Sequence, residues 1–127
     1  GLFKYMPMAM IGFVVGGLVS MGMPGFSGFV AEMPIYIGAW KTFPAAAIIS
    51  AVSIVVTAAY ILLVVRRVFF GDTPEAIKPG LSDITLRDKI VVVGLSLIMI
   101  LIGIVPSIIT PTIQAGVGHI LALLGGA

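Results

Sequence analysis

Glu32 is the residue in this chain best placed for proton chemistry. It is the only acid among the first 71 residues, and 27 uncharged residues, Tyr5 to Ala31, precede it. The next charge, Lys41, lies nine residues further on. In a helix that is about 13.5 Å, roughly half the hydrocarbon thickness of a bilayer. If the segment crosses a membrane, Glu32 sits near mid-depth. A carboxylate there costs about 3 kcal/mol or more, and such groups mark ion or proton pathways. Gly28 and Tyr36 lie four residues before and after Glu32, on the same helical face. Gly28 lets a neighbouring helix or water come close, and Tyr36 is placed to hydrogen-bond the acid. Pro34 removes a backbone donor, so the carbonyl of Val30 loses its partner. A carboxyl balanced between burial and nearby charge can load and release a proton. The alternative is an acid that pairs with a Lys or Arg of a neighbouring subunit and fixes assembly.

The element that must position Glu32 is interrupted. Met21 to Gly28 contains three glycines and Pro24, a combination that breaks a helix. Roughly 14 residues remain on each side, too few for a full span each. The pattern predicts one broken helix over 1–41, with an unwound middle at Pro24 and Gly25. Pro-Gly favours a turn with positive φ at the glycine. Unwound backbone at membrane depth is tolerated only beside protein or a water-filled cavity.

The composition agrees with membrane burial. Of 127 residues, 60% are hydrophobic and 9% charged, with mean hydropathy +1.25. An all-α membrane protein with three transmembrane helices, the first discontinuous, is the expected fold class. The expected segments are the broken helix 1–41, a second span 42–70, a polar cytoplasmic loop 71–85, a third span 86–109 and an outer interfacial tail 110–127. Lys4, Arg66, Arg67, Lys78, Arg87 and Lys89 then lie on one side and Lys41 alone on the other. This asymmetry puts the N-terminus and the loop in the cytoplasm and the C-terminus outside. A helix start is expected at Ser82 or Thr85. In the tail, Ile113, Val117, Ile120, Leu121 and Leu124 recur at helical spacing. The chain begins at Gly1 without a signal-peptide pattern and reads as a processed product or the tail of a longer subunit.

The other polar residues have plainer readings. Ser50, Ser53, Thr57 and Tyr60 form a seam on the second span, which reads as helix packing more readily than as a water path. Arg66 and Arg67 close that span at the interface. Gly12, Gly16 and Gly17 suit close helix packing, and His119 reads as an interfacial side chain. Cysteine is absent, which excludes thiolate and disulfide chemistry. No nucleotide motif, metal-ligand cluster or Ser/His/Asp set is present. The basic residues set topology rather than nucleic-acid binding. One ionisable group at mid-depth is not a relay across the membrane, so the chain alone is not a complete pump.

Ser20 to Glu32, containing Met23-Pro24-Gly25-Phe26-Ser27-Gly28-Phe29-Val30-Ala31-Glu32, and then Ile35 to Trp40, resemble the "LPGxxGFxxE" segment of complex I subunit M. Ala59-Tyr60, Arg66-Arg67 and Phe70-Gly71 are similar to the family's "AYxLxxxRxxFG" helix ending. Together these motifs cover residues 1–71. The resemblance implies the last three helices of an antiporter-like, proton-translocating subunit, with the first helix here as the discontinuous helix of its second repeat. It implies that Glu32 carries the proton, with Tyr36, Gly28, Pro24 and Gly25 in support. Sister antiporter-like subunits usually place Lys at this position, so Glu32 favours subunit M over a sodium/proton antiporter or membrane-bound hydrogenase subunit. A non-transporting assembly fragment is the third alternative. NADH, FMN, iron–sulfur clusters and quinone are implied in other subunits and no cofactor in this chain. The implied partners are the other membrane-arm subunits, the remainder of the same subunit and the lipid bilayer. The implied site is the bacterial inner membrane rather than the mitochondrial inner membrane or thylakoid. Met23 stands where the family has Leu, and Pro34 follows Glu32 more closely than the pattern expects. The family's central lysines and the acid of its first repeat lie outside this chain.

Overall fold

A computed structural model describes residues 1–75 and 80–125. Lys78, named above within the loop, and the last two residues of the tail lie outside the described residues. The described residues form helices and no strand. Helix α1 spans Pro7–Ser20, α2 Ser27–Thr42, α3 Pro44–Phe69, α4 Leu86–Ile104 and α5 Thr110–Gly125. Short 3-10 turns at Leu2–Lys4 and Pro106–Ile108 precede α1 and α5.

Prolines set the boundaries. Pro7 and Pro44 occupy first-turn positions, where a missing N–H costs nothing. Each residue before a proline is pushed out of the α region. Phe43 accordingly sits at φ −136° between α2 and α3, and Val105 at φ −122° ends α4 before Pro106. The expected third span 86–109 therefore divides at Val105. Thr85, one of the two expected starts, caps α4: its hydroxyl accepts from the N–H of Asp88 at 3.4 Å and donates to the Asp88 carboxylate at 2.6 Å.

Among the described residues, α3 alone is both long and apolar enough to cross a membrane. The break confines α1 to 14 residues, and Arg87, Asp88 and Lys89 occupy the first turn of α4. The three-span expectation thus has one full-length helix behind it, together with shorter pieces. Apart from its seam of Ser50, Ser53, Thr57 and Tyr60 and the closing Arg66 and Arg67, helix α3 is apolar, and Ile49 is 72% and Val55 69% exposed. Only Ala47, Ile61 and Phe69 are buried among the described residues. Exposed apolar side chains along so long a helix suit lipid or other helices.

Helices α1 and α2 run end to end along α3. Ala47, Ile48, Ala51 and Ile54 of α3 face Met33, Ile37 and Trp40 of α2 across an apolar cavity. Further along, Ile61 meets Gly17, and the Phe69 and Phe13 rings lie 5.6 Å apart. Helix α4 begins beside α1, where Val92 packs on Gly12. It ends at the break, with Gly103 directly against the Gly25 carbonyl and Phe26 Cα. A Cβ at Gly103 collides with backbone, whereas Gly94 on the same helix has open space.

The loop end is fastened by Asp83. Met6, the N-cap of α1, makes no side-chain cap. The Asp83 carboxylate instead accepts from the N–H of Ala9 at 3.4 Å and of Ile84 at 2.9 Å, and pairs with Lys89 at 3.3 Å. It thereby satisfies a free first-turn donor of α1 from across the fold. Desolvation pushes this carboxyl up, but the Ile84 N–H, Lys89 and the Ala9 N–H outweigh it and hold its pKa below the ordinary 3.8.

Two outcomes follow from these contacts. Gly103→Val should cost about 1–3 kcal/mol, the usual range for overpacking. Thermal unfolding of the detergent-solubilised protein should show the drop, with Gly94→Val close to silent. The Asp83 contribution is fully present above pH 3.8 and is lost as pH falls through its depressed folded value. Amide exchange at Ala9, corrected for intrinsic rate, should therefore stay protected down to that pH and lose protection below it. Asp83→Asn should expose Ala9 at neutral pH as well.

Candidate functional site

The break runs over Met21–Phe26, where no helix is formed. Gly22 has φ +64° and Gly25 φ +94°, conformations that suit glycine. The turn nonetheless keeps much of its backbone paired. Met21 N–H donates to Gly17 O at 2.9 Å, Gly22 N–H to Val19 O at 3.0 Å and Met23 N–H to Leu18 O at 3.1 Å. Phe26 N–H donates to Met23 O at 3.2 Å, across exposed Pro24. Helix α2 restarts close by: the Val19 carbonyl oxygen occupies the place a Cβ at Gly28 would take. Only a glycine admits that approach.

Glu32 lies in the second turn of α2 and is half-buried. Helical side chains tilt toward the N-terminus, so its carboxyl reaches back to the break and rests beside Gly22. Glu32 also lines an open crevice of about 270 Å³ with Ile35, Tyr36, Ala39 and Ser50. The crevice joins α2 to α3 and holds three side chains that can hydrogen-bond. A carboxyl so placed has interrupted backbone on one side and a space large enough for water on the other. Among the described residues it makes no ion pair or hydrogen bond.

The expected site residues divide accordingly. Glu32 and Tyr36 share the crevice, but the expected hydrogen bond between them is not formed, and Tyr36 also lines the apolar cavity beyond it. Gly28 and Gly25 shape the break and do not line the crevice. Pro34 is inside α2 and leaves the Val30 carbonyl without its helical donor. On α3, the Ser53 hydroxyl donates to Ser50 O at 2.6 Å and Thr57 to Ser53 O at 3.0 Å. Two members of the polar seam are thus satisfied within their own helix, and Ser50 faces Glu32. Sequence reasoning missed that Ser50 shares a crevice with Glu32, and it did not single out Gly22. The glycine count across the break pointed to Gly22; nothing local pointed to Ser50.

Relatives match nearly the whole chain. NADH-quinone oxidoreductase subunit M of Rhodobacter capsulatus is 31% identical over 121 residues, 95% of this chain and 24% of that protein. NAD(P)H-quinone oxidoreductase chain 4 of a Synechococcus strain is 35% identical over 136 aligned positions, 100% of this chain and 26% of that protein. F(420)H(2) dehydrogenase subunit M of Methanosarcina mazei is 34% identical over 102 residues, 80% of this chain and 20% of that protein. No family model and no solved structure matches. The chain spans about a quarter of the length of the first two relatives. An interrupted helix carrying an acid, packed on a long apolar helix, therefore occurs here in a chain homologous to a quarter-length part of the subunit M/chain 4 family of NADH-quinone oxidoreductases.

Proposed function

We propose that this chain is part of the proton-translocating membrane arm of a complex I-type quinone oxidoreductase, with Glu32 as its intramembrane proton carrier. The observation that carries the reading is the position of Glu32, whose carboxyl rests against a helix break and which lines a crevice with Tyr36 and Ser50. Proton carriage needs a group that can exchange a proton with water or a polar neighbour on more than one side. A carboxyl locked in a tight ion pair could not, and Glu32 has none among the described residues.

The supporting roles follow from the geometry. Gly25 and Pro24 keep the turn between α1 and α2, and Gly28 lets α2 restart against the Val19 carbonyl. Tyr36 and Ser50 offer hydroxyls to water in the crevice. The redox chemistry with NADH, FMN, iron–sulfur clusters and quinone would lie in other subunits. Charge movement there would drive Glu32 through neighbouring membrane-arm subunits and the remainder of this subunit. The F(420)H(2) dehydrogenase relative is named for a different electron donor. Its similarity suits a coupling element that does not depend on which donor feeds the quinone. The proposed arrangement has three membrane passes, with α1 and α2 stacked as one, in a bacterial inner membrane.

Glu32→Gln preserves shape and removes the titratable proton. In the assembled complex it should lower proton pumping and coupled quinone reduction together, by about a hundredfold or more, the usual scale for loss of general acid–base function. Normal pumping by an intact complex would refute the proton-carrier reading, and loss of the complex itself would support an assembly role for the acid.

The topology has its own test. The sequence contains no cysteine, so single cysteines at exposed Ser82 and Ala122 can be labelled without background. They should react from opposite faces of the membrane. Reaction of both from one face would exclude three passes.

A further inference from the structure

Gly22 differs from the other glycine of the break in what surrounds it. Both have positive φ. A Cβ built on Gly25 meets no heavy atom within 4 Å. A Cβ built on Gly22 would lie 2.6 Å from Glu32 Oε2 and 3.4 Å from its carboxyl carbon. Gly25 is thus required for its backbone alone, and Gly22 for its backbone and for the space that its missing side chain leaves.

We propose that Gly22 is a positioning residue for Glu32: the vacancy at its Cβ is the seat of the carboxyl at the helix break. This rests on the reading of Glu32 as the proton carrier. The seat cannot easily move. The Gly22 N–H is bonded to Val19 O, and its neighbours Met21 and Met23 are bonded to Gly17 O and Leu18 O. The first turn of α2 is pinned as well, by Gly28 against the Val19 carbonyl on one side and Gly103 behind Gly25 and Phe26 on the other. With both backbones held, a Cβ at position 22 can be accommodated only by turning the Glu32 side chain. The carboxyl would then leave the break and keep only the crevice side with Tyr36 and Ser50, or swing to the exterior. Only in the seat does it touch both the break and the crevice, so Gly22 decides whether Glu32 can exchange protons in two directions.

The alternative is that Gly22 is glycine only because φ is positive. Its φ of +64° lies in the left-handed region that Asn tolerates. Gly22→Asn therefore keeps the backbone and adds the Cβ. The test compares Gly22→Asn, Gly22→Ala and, as a control in open space on α4, Gly94→Asn in the intact membrane complex. Glu32 is labelled with dicyclohexylcarbodiimide, and the adduct is quantified by mass spectrometry. This readout follows the carboxyl whether or not the complex turns over. Both Gly22 variants should change the labelling rate by about fivefold or more, while Gly94→Asn stays within about twofold of the unaltered protein. Unchanged labelling in the Gly22 variants would overturn the proposal.

Turnover gives the second readout. Gly22→Asn should lose about tenfold or more of coupled quinone reduction, the scale expected when a reacting group is displaced by an ångström. Glu32→Asp withdraws the carboxyl by one methylene and frees the seat. Combined with Gly22→Asn it should restore turnover to within about threefold of Glu32→Asp alone. No restoration would overturn the proposal, as would failure of both Gly22 variants to assemble whether or not Glu32→Asp is also present. If Glu32→Gln pumps normally while Gly22→Asn still alters labelling, the carrier reading fails and the positioning stands.

Discussion

The structure depends on how a helix can stop and restart inside an apolar fold without stranding its backbone. Each unpaired N–H or C=O in such surroundings is costly. The turn from Met21 to Phe26 meets this by folding back on the end of α1, so that Gly17, Leu18 and Val19 accept three of its N–H groups. That pairing needs positive φ at Gly22. It brings the start of α2 so close that Gly28 lies against a carbonyl oxygen. Once the break is built this way, the placement of Glu32 follows from helix geometry. The acid leaves the second turn of α2 leaning toward the N-terminus and meets Gly22.

The surrounding helices act as supports for that turn. Helix α3 is long enough to lie along both halves of the interrupted element, with Trp40 and Ala47 at one end and Phe13 and Phe69 at the other. Helix α4 closes on the break through Gly103. At the opposite end, Asp83 joins the N-terminus of α1 to the base of α4. These contacts rely on small residues rather than on a buried core. Only three residues are buried among those described, and large apolar side chains cover the outside. That pattern suits a chain whose remaining partners are lipid and other helices.

The acid and its surroundings join local chemistry to the wider family. Related chains carry NADH, NAD(P)H and F(420)H(2) in their names, so similarity persists while the donor differs. A proton carrier in the membrane would have that independence, because it responds to charge movement rather than to the donor itself. Glu32, Tyr36 and Ser50 line a shared crevice between α2 and α3.

Much of this was legible in the sequence because it is local. The Pro and Gly cluster between residues 21 and 28 determined that a helix would break there, since proline removes a donor and glycine alone accepts positive φ freely. Pro44 and Pro106 set two further boundaries through the residues before them. The isolation of Glu32 in an uncharged run was visible as well, since charge is read directly from residue type. Tertiary structure decided the rest, because each remaining feature joins residues far apart in the chain. Ser50 lines a crevice with the acid only because α3 folds back on α2. Asp83 caps α1 across 74 residues of sequence. Gly103 matters only because α4 ends at the break. Tyr36 lines the crevice with Glu32, as their spacing required, yet no hydrogen bond joins them, because sharing a helical face does not fix side-chain direction. Gly22 and Glu32 are ten residues apart with a non-helical turn between them, so no periodicity could show that one leaves room for the other.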